Sequence, residues 1–348
     1  MGSSKTKKLF LWVALLGVIG PGTRANLAKQ ADVKVRWERV QQLVQSGLLS
    51  QAIAEAEALT PQLSKPQEGF NLIGVVYELL KKPKEAEEAY LRALRLQPDS
   101  IQTRSNLGTL YATQNRFELA FDFLNPIRKF VSDNPDASFA LIRGALLLQK
   151  RNIAQEVIQL LNPQAVHDAS LSLSLASLLQ RNAFYPAATT YFRRALSLSP
   201  DDYRSFYGLG ISYFQMRDYE KAKANTRTAL RLNPRLLQGV TLLGKIAMEE
   251  GDLVEAKRQL AESLSQNSTN DHTLFLLATI AMKEGRYLEA RGYLEKSIAI
   301  NSNVPEYHFS LITTYHEVHD YRGALGWQDK RWTAFLIILM HSSMLLLS

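Results

Sequence analysis

Apolar and polar positions along this chain recur every 34 residues, and the pattern inside each period predicts two helices. Frames beginning at Gln67, Ile101, Pro135, Ala169, Tyr203, Leu237, Asp271 and Pro305 follow one another without insertion, and a weaker frame begins at Val33. In the frame from Gln67 to Ser100, Phe70, Ile73 and Tyr77 fall at helical spacing and form the apolar stripe of a first helix. Gly74 lies on that stripe, where the missing side chain lets a second helix approach closely. Ala86, Tyr90 and Ala93 repeat at intervals of four and three on the second helix, small where backbones must touch and large elsewhere. Pro98 then ends it, because proline cannot donate the next helical hydrogen bond. A helical hairpin of this kind leaves apolar surface bare on both flanks and buries it by stacking on copies of itself. The pattern therefore predicts an all-α solenoid.

These spaced small and aromatic positions resemble the tetratricopeptide repeat. The fullest copies are Phe70, Ile73, Gly74, Tyr77, Ala86, Tyr90, Ala93 and Pro98, and Phe206, Leu209, Gly210, Tyr213, Ala222, Ala229 and Pro234. The frame from Ile101 keeps Leu107, Gly108, Tyr111 and Ala120. That from Ala169 keeps Leu175, Ala176, Ala188, Phe192, Ala195 and Pro200. Later frames keep Leu243, Gly244, Ala256 and Leu260, then Leu277, Ala278, Ala290 and Leu294. The frame from Pro135 departs most, retaining Leu141 and Ala154 but lacking the glycine. The resemblance covers roughly residues 33–325 and implies a right-handed superhelix of antiparallel helix pairs, about nine frames long, with a concave binding face.

The chain divides into a leader at 1–25, a divergent first repeat or cap at 26–66, seven repeats at 67–304, an incomplete last repeat at 305–332 and an apolar tail at 333–348. In the leader, Lys5, Lys7 and Lys8 precede an apolar run from Leu9 to Gly20, then Pro21, Gly22 and a cleavage point after Ala25, the layout of a secretory signal peptide. The run falls short of the roughly 20 apolar residues a membrane span needs. Export with cleavage near Ala25, to a periplasmic, secreted or envelope-associated site, is the expectation; retention by an uncleaved anchor at residues 9–20 is the alternative. The first residues also fit a myristoylation pattern. Four of the positive charges behind the formal +8 lie in this leader, so the basic balance is largely a targeting signal. The remaining Lys and Arg are scattered along helix ends, often beside acids, and form no contiguous track for phosphates; nucleic-acid binding is not expected. Zero cysteines exclude a disulfide framework, a thiolate metal site and a cysteine nucleophile.

In the last frame Gln328 and Arg331 replace the aromatic and the alanine of a second helix, so regular stacking ends there. The apolar stretches Ala334–Met340 and Met344–Leu347 have three readings: a cap on the last hairpin, a membrane- or partner-touching segment through residues 334–347, or the mark of a truncated array. The residues His308, His316, Glu317, His319 and Asp320 cluster without matching a zinc motif, and surface histidines are the simpler reading. No phosphate loop or serine-nucleophile elbow is present, and no cofactor, metal or catalytic residue is expected. Asn267, Ser268 and Thr269 form a glycosylation acceptor sequence.

In the family, positions 2, 5, 9 and 12 of the first helix line the concave groove. Carried onto this chain, the resemblance implies a peptide-binding set of Asn71, Ser105, Thr109, Phe139, Arg143, Tyr207, Ile211, Thr241, Lys245, Phe275, Thr279 and Phe309. Position 5 holds four aromatic residues, Phe139, Tyr207, Phe275 and Phe309, which either anchor an apolar segment or pack between neighbouring helices. Arg143, Lys245 and Lys283 do not form the set with which some members clamp chaperone tails, and only Asn106 stands at the asparagine-ladder position of another group. The expected function is a non-enzymatic, exported scaffold that binds a protein or peptide segment and supports assembly of a complex. The alternatives are a substrate-recognition arm of an enzyme whose catalytic domain lies elsewhere, and a membrane-anchored cytoplasmic adaptor.

Overall fold

The computed structural model describes residues 24–324, with side chains from residue 31 onward. The leader upstream of Arg24, the positions Gln328 and Arg331, and the apolar tail at 333–348 lie outside the described residues. Contacts divide the chain into two units, one ending at Ala183 and the other beginning at Phe184. Among the described residues every regular element is a helix.

The first unit holds α1 (Arg24–Gln45), α2 (Leu49–Leu59), α3 (Pro66–Leu79), α4 (Pro83–Leu96), α5 (Ile101–Thr113), α6 (Phe117–Leu124), α7 (Pro135–Leu147), α8 (Arg151–Leu160) and α9 (Ala169–Arg181). The second holds α10 (Tyr185–Leu198), α11 (Tyr203–Gln215), α12 (Tyr219–Leu232), α13 (Leu237–Glu250), α14 (Leu253–Gln266), α15 (Asp271–Lys283), α16 (Tyr287–Ile300) and α17 (Pro305–Glu317). Within each unit consecutive helices pair into hairpins, and each hairpin stacks on the next through its first helix. First helices start at Ile101, Pro135, Ala169, Tyr203, Leu237, Asp271 and Pro305, the frame positions read from the sequence, and α3 starts one residue ahead of Gln67. The all-α solenoid packing expected from the period is what each unit shows.

Local chemistry sets these starts. Proline occupies the first turn of α3, α4, α7 and α17, where its fixed φ fits and its missing N–H costs nothing. Side chains of Ser100, Asn134, Asp168, Asp218, Asp252 and Asn270 accept hydrogen bonds from the free amides of the helices they precede. The turn inside each hairpin repeats as a backbone feature. Positive φ falls at Gly47, Lys81, Asn115, Gln149, Ala183, Arg217, Gly251, Gly285 and His319, one per frame at intervals of 34. Within each unit this left-handed residue reverses the chain after the first helix of a hairpin, and only three of the nine positions use glycine.

Interlocking at the hairpin core follows the small positions. A side chain on Gly74 would meet the Tyr90 ring at 2.5 Å, one on Gly108 would meet Leu124 at 2.4 Å, and one on Gly244 would meet Leu260 at 2.8 Å. Each glycine faces the residue sixteen positions later, on the second helix of its own hairpin. Tyr90, Leu124 and Leu260 are fully buried there, and each such burial stabilises by about 1.5–3 kcal/mol. The frame from Pro135 solves the approach differently. It carries buried Ile142 at the glycine position, while Gly144 lets α7 come close to α6, within 3.1 Å of the Phe117 carbonyl for an added Cβ. The neighbouring α6 is short because Pro126 diverts the chain into a 3₁₀ turn from Asn125 to Phe130.

Candidate functional site

The first-helix face of the first unit is largely satisfied by its own residues. The Asn71 amide oxygen accepts a hydrogen bond from Asn106 Nδ2 at 3.0 Å, tying α3 to α5. Ser105 is buried, and its hydroxyl accepts from Asn134 Nδ2 at 2.8 Å, which links α5 to the residue capping α7. Thr109 turns its hydroxyl back onto the carbonyls of Ser105 and Asn106. Arg143 lays its guanidinium 4.3 Å from the centre of the Phe117 ring, a cation–π contact that occupies the charge. Phe139 is half-buried on α7.

The same face of the second unit is built from α11, α13, α15 and α17. Tyr207 and Ile211 are half-buried on α11, and burial pushes the Tyr207 hydroxyl pKa up. Thr241 is buried: its hydroxyl donates to the Leu237 carbonyl at 3.1 Å and lies 3.0 Å from Ser263 Oγ and 3.4 Å from Thr273 Oγ1. It fastens α13 to α14 and α15. Ser105 and Thr241 thus pack between hairpins, where a buried hydroxyl needs a partner and the adjoining hairpin supplies it.

Lys245, one turn beyond Thr241, is half-buried. Among the described residues no carboxylate pairs with it, and burial lowers its pKa below the ordinary ammonium value. Beside it stands His272 at the second position of α15. Burial first, and the Lys245 charge second, hold the imidazole below its usual pKa, and its Nε2 is buried without a hydrogen-bond partner. The His272 ring stacks on Phe275 with centroids 6.3 Å apart, and Phe275 in turn lies 4.9 Å from Tyr307 of α17. The adjacent acid, Asp271, is already engaged, accepting from the Tyr307 hydroxyl and Asn301 Nδ2 at 3.1 Å each. Thr279 donates to the Phe275 carbonyl at 2.9 Å, and Phe309 on α17 is 52% exposed.

This arrangement joins Lys245 and Phe275, which sequence reasoning selected, to His272 and Tyr307, which it did not. His272 had a signal, since it occupies position 2 of its frame. Tyr307 had none, because position 3 is not expected to line a groove. Chemically the cluster offers an unpaired cation, an imidazole and an aromatic surface, which suits an anionic group attached to an apolar one.

The histidines near the last hairpin have local partners. His308 Nε2 meets the Ser302 carbonyl at 2.9 Å, His319 Nδ1 meets the Tyr321 hydroxyl at 3.1 Å, and His316 packs edge-on against Tyr321. Among the described residues no three His, Cys, Asp or Glu converge on a point a metal could occupy, and no helix is long and apolar enough to cross a membrane. The Asn267 side chain is bound into an Asx turn with Thr269, accepting from its amide at 3.2 Å and its hydroxyl at 2.9 Å.

Three family profiles, each described as Tetratricopeptide repeat, match residues 68–100, 203–236 and 247–313. No curated protein matches the sequence. Among solved structures the chain is similar to a tetratricopeptide repeat protein from Parabacteroides merdae, at 16% identity and TM-score 0.40, covering 81% of this chain and 98% of that one. It is similar also to MamA, at 15% identity and TM-score 0.41, covering 47% and 94%, and to pilF of Pseudomonas aeruginosa, at 18% and 0.37, covering 69% and 94%. At these identities and scores the likenesses carry no functional weight.

Proposed function

We propose, from the premise that this chain is a tetratricopeptide repeat protein, that it is a non-enzymatic scaffold whose first-helix face in the second unit binds a segment of another protein. Repeats of this family mediate protein–protein interaction; the finer reading concerns what this face prefers. One observation carries it: Lys245 is half-buried with no carboxylate partner among the described residues, next to an imidazole nitrogen that is buried and unpaired. Holding a cation out of water without a counter-charge is unfavourable, and a carboxylate brought by a partner relieves it. Phe275 and exposed Phe309 on one side, and Tyr207 and Ile211 on the other, offer apolar surface for the flanking residues of such a segment. The preferred partner is therefore an extended stretch in which an acidic residue sits between apolar or aromatic ones. The first unit is a poorer candidate, because Asn71, Ser105, Thr109 and Arg143 already have internal partners.

A photo-reactive phenylalanine analogue at Tyr207, compared with one at exposed Arg258, tests the assignment in the native cell. A discrete adduct from position 207 that disappears on Phe275→Ser supports it. The same products from both positions, or an adduct indifferent to Phe275, overturn it. The signal-peptide-like pattern of residues 1–25 supports placing this binding outside the cytoplasm; N-terminal sequencing that returns Asn26 as the first residue upholds cleavage and export, and an intact Met1 refutes cleavage there.

A further inference from the structure

The opposite side of the second unit, where its second helices lie, carries a feature that the first-helix face does not explain. Between α14 and α16 opens a cavity of about 310 Å³ lined by Lys257, Ala261, Leu264, Ser265, Leu277 and Tyr293. The repeat supplies its own controls for why the groove is open here. One and two periods before Ala261 stand Arg227 and Arg193, and Arg193 lies across Tyr213, hydrogen-bonded to its hydroxyl. One period before Ser265 stands Arg231. The preceding groove is further bridged by Lys223, 2.8 Å from Glu250, whereas Lys257 comes only within 3.8 Å of Glu284. Ala261 and Ser265 thus put short side chains at the edge of the cavity where the preceding repeat has two arginines.

The surface around the opening is apolar too. Val254 is 82% exposed and Leu288 66% exposed, at the position where the preceding repeats have Glu220 and Pro186. Gly292, on the outer side of α16, has nothing within 4 Å of where its Cβ would be. A row of exposed aliphatic side chains, a glycine and an open pocket form a path for a packed apolar segment rather than a solvated face.

We propose that this groove takes the apolar segment at residues 334–347 of the same chain. The described residues end beside α16: Asp320 lies 3.5 Å from Arg291, and the Tyr315 hydroxyl bonds Glu295 at 3.4 Å. From Ala324, residues 325–333 supply up to about 30 Å of extended chain before the apolar segment begins. The segment supplies Phe335, Leu336, Ile337, Ile338 and Leu339, side chains that fit a pocket floored by Leu264, Leu277 and Tyr293.

Because the chain has no cysteine, crosslinking can read this directly. In the full chain, Ser265→Cys combined with Leu336→Cys and treated with a short bismaleimide at low micromolar protein is expected to give an intramolecular product, seen as a faster-migrating monomer. Arg231→Cys with Leu336→Cys, the same geometry one repeat earlier, is expected to give at least fivefold less. Adding Ala261→Arg, which restores the side chain the earlier repeats carry and so is compatible with folding, should cut the 265–336 yield by a similar factor. Equal yields at 231 and 265, or a yield unmoved by Ala261→Arg, overturn the proposal. So does a product that is entirely between chains, which would make the occupant a second copy. Loss of the product on adding phosphatidylcholine–phosphatidylglycerol vesicles that take up the segment also overturns it, in favour of membrane contact.

Discussion

Gly74→Ala is the sharpest test of how the hairpins interlock. The added Cβ would stand 2.5 Å from Cε1 and 2.6 Å from Cδ1 of Tyr90, against an ordinary carbon–carbon separation of about 3.5–4.0 Å, so the ring must withdraw by about 1 Å. Tyr90 has no free space, being fully buried, and its hydroxyl donates to Glu78 Oε1 at 2.6 Å. Overpacking of this sort costs about 1–3 kcal/mol, and weakening the bond to a carboxylate adds about 1 kcal/mol. Alanine returns about 1 kcal/mol as the better helix former. The net expectation is a loss of about 1–3 kcal/mol confined to α3 and α4. A stacked array need not unfold in one step, so the assay is hydrogen exchange resolved by segment: amides of α3 and α4 should exchange roughly 5- to 150-fold faster, with α13–α16 unchanged. Tyr90→Leu in the Gly74→Ala background should recover most of the loss, because Ala278 and Leu294 form that pair in one fully buried cluster. Exchange in α3 and α4 as slow as in the parent would refute the interlocking argument.

Two further outcomes follow from the same geometry. Gln149 holds φ at 56°, so Gln149→Gly removes left-handed strain and should stabilise the α7–α8 hairpin by about 0.5–1 kcal/mol in urea denaturation, even though glycine loosens the unfolded chain; a decrease would show that the side chain matters more than the backbone. Burial first, then the hydrogen bond to Glu87, pushes the Tyr111 pKa up to about 12. Since the folded state holds the proton more tightly, this contribution is complete below the unfolded tyrosine value near 10 and is lost as pH rises through about 12; Tyr111→Phe should flatten that part of the denaturation-midpoint curve.

The period was legible because packing wrote it into residue size. Gly74, Gly108 and Gly244 face Tyr90, Leu124 and Leu260 wherever two helices must touch, and a size pattern survives in a sequence without any structure. The turn was not legible. Its left-handed residue is Lys81, Asn115, Gln149, Ala183, Arg217 or His319 in six of nine frames, and the strain is carried by surrounding contacts rather than announced by glycine. Site residues were legible only as far as their helix positions. Whether Thr241 faces outward or is buried depends on Ser263 and Thr273 arriving from the next helices, and whether Lys245 is paired depends on which acids its neighbours hold. Those are properties of pairs of repeats, and a pattern read one frame at a time does not contain them.

Lys245 lets stability and the proposed binding be tested in one variant. Its pKa is lowered by burial, so the folded state holds this proton less tightly than the unfolded chain, and at neutral pH, where both forms are charged, the residue works against folding. Lys245→Met keeps the stem and removes the charge. Since the group is only half-buried, the expected gain is about 0.5–1 kcal/mol, below the 1–4 kcal/mol known for replaced buried ions. The same change removes one of the two influences holding down His272, so the imidazole pKa should rise toward its ordinary value, followed by NMR titration. If the charge is kept for a partner's carboxylate, capture of that partner should weaken about five- to tenfold while the array becomes more stable. Loss of stability together with unchanged capture would mean that Lys245 serves the fold, and the binding assignment on this face would fall with it.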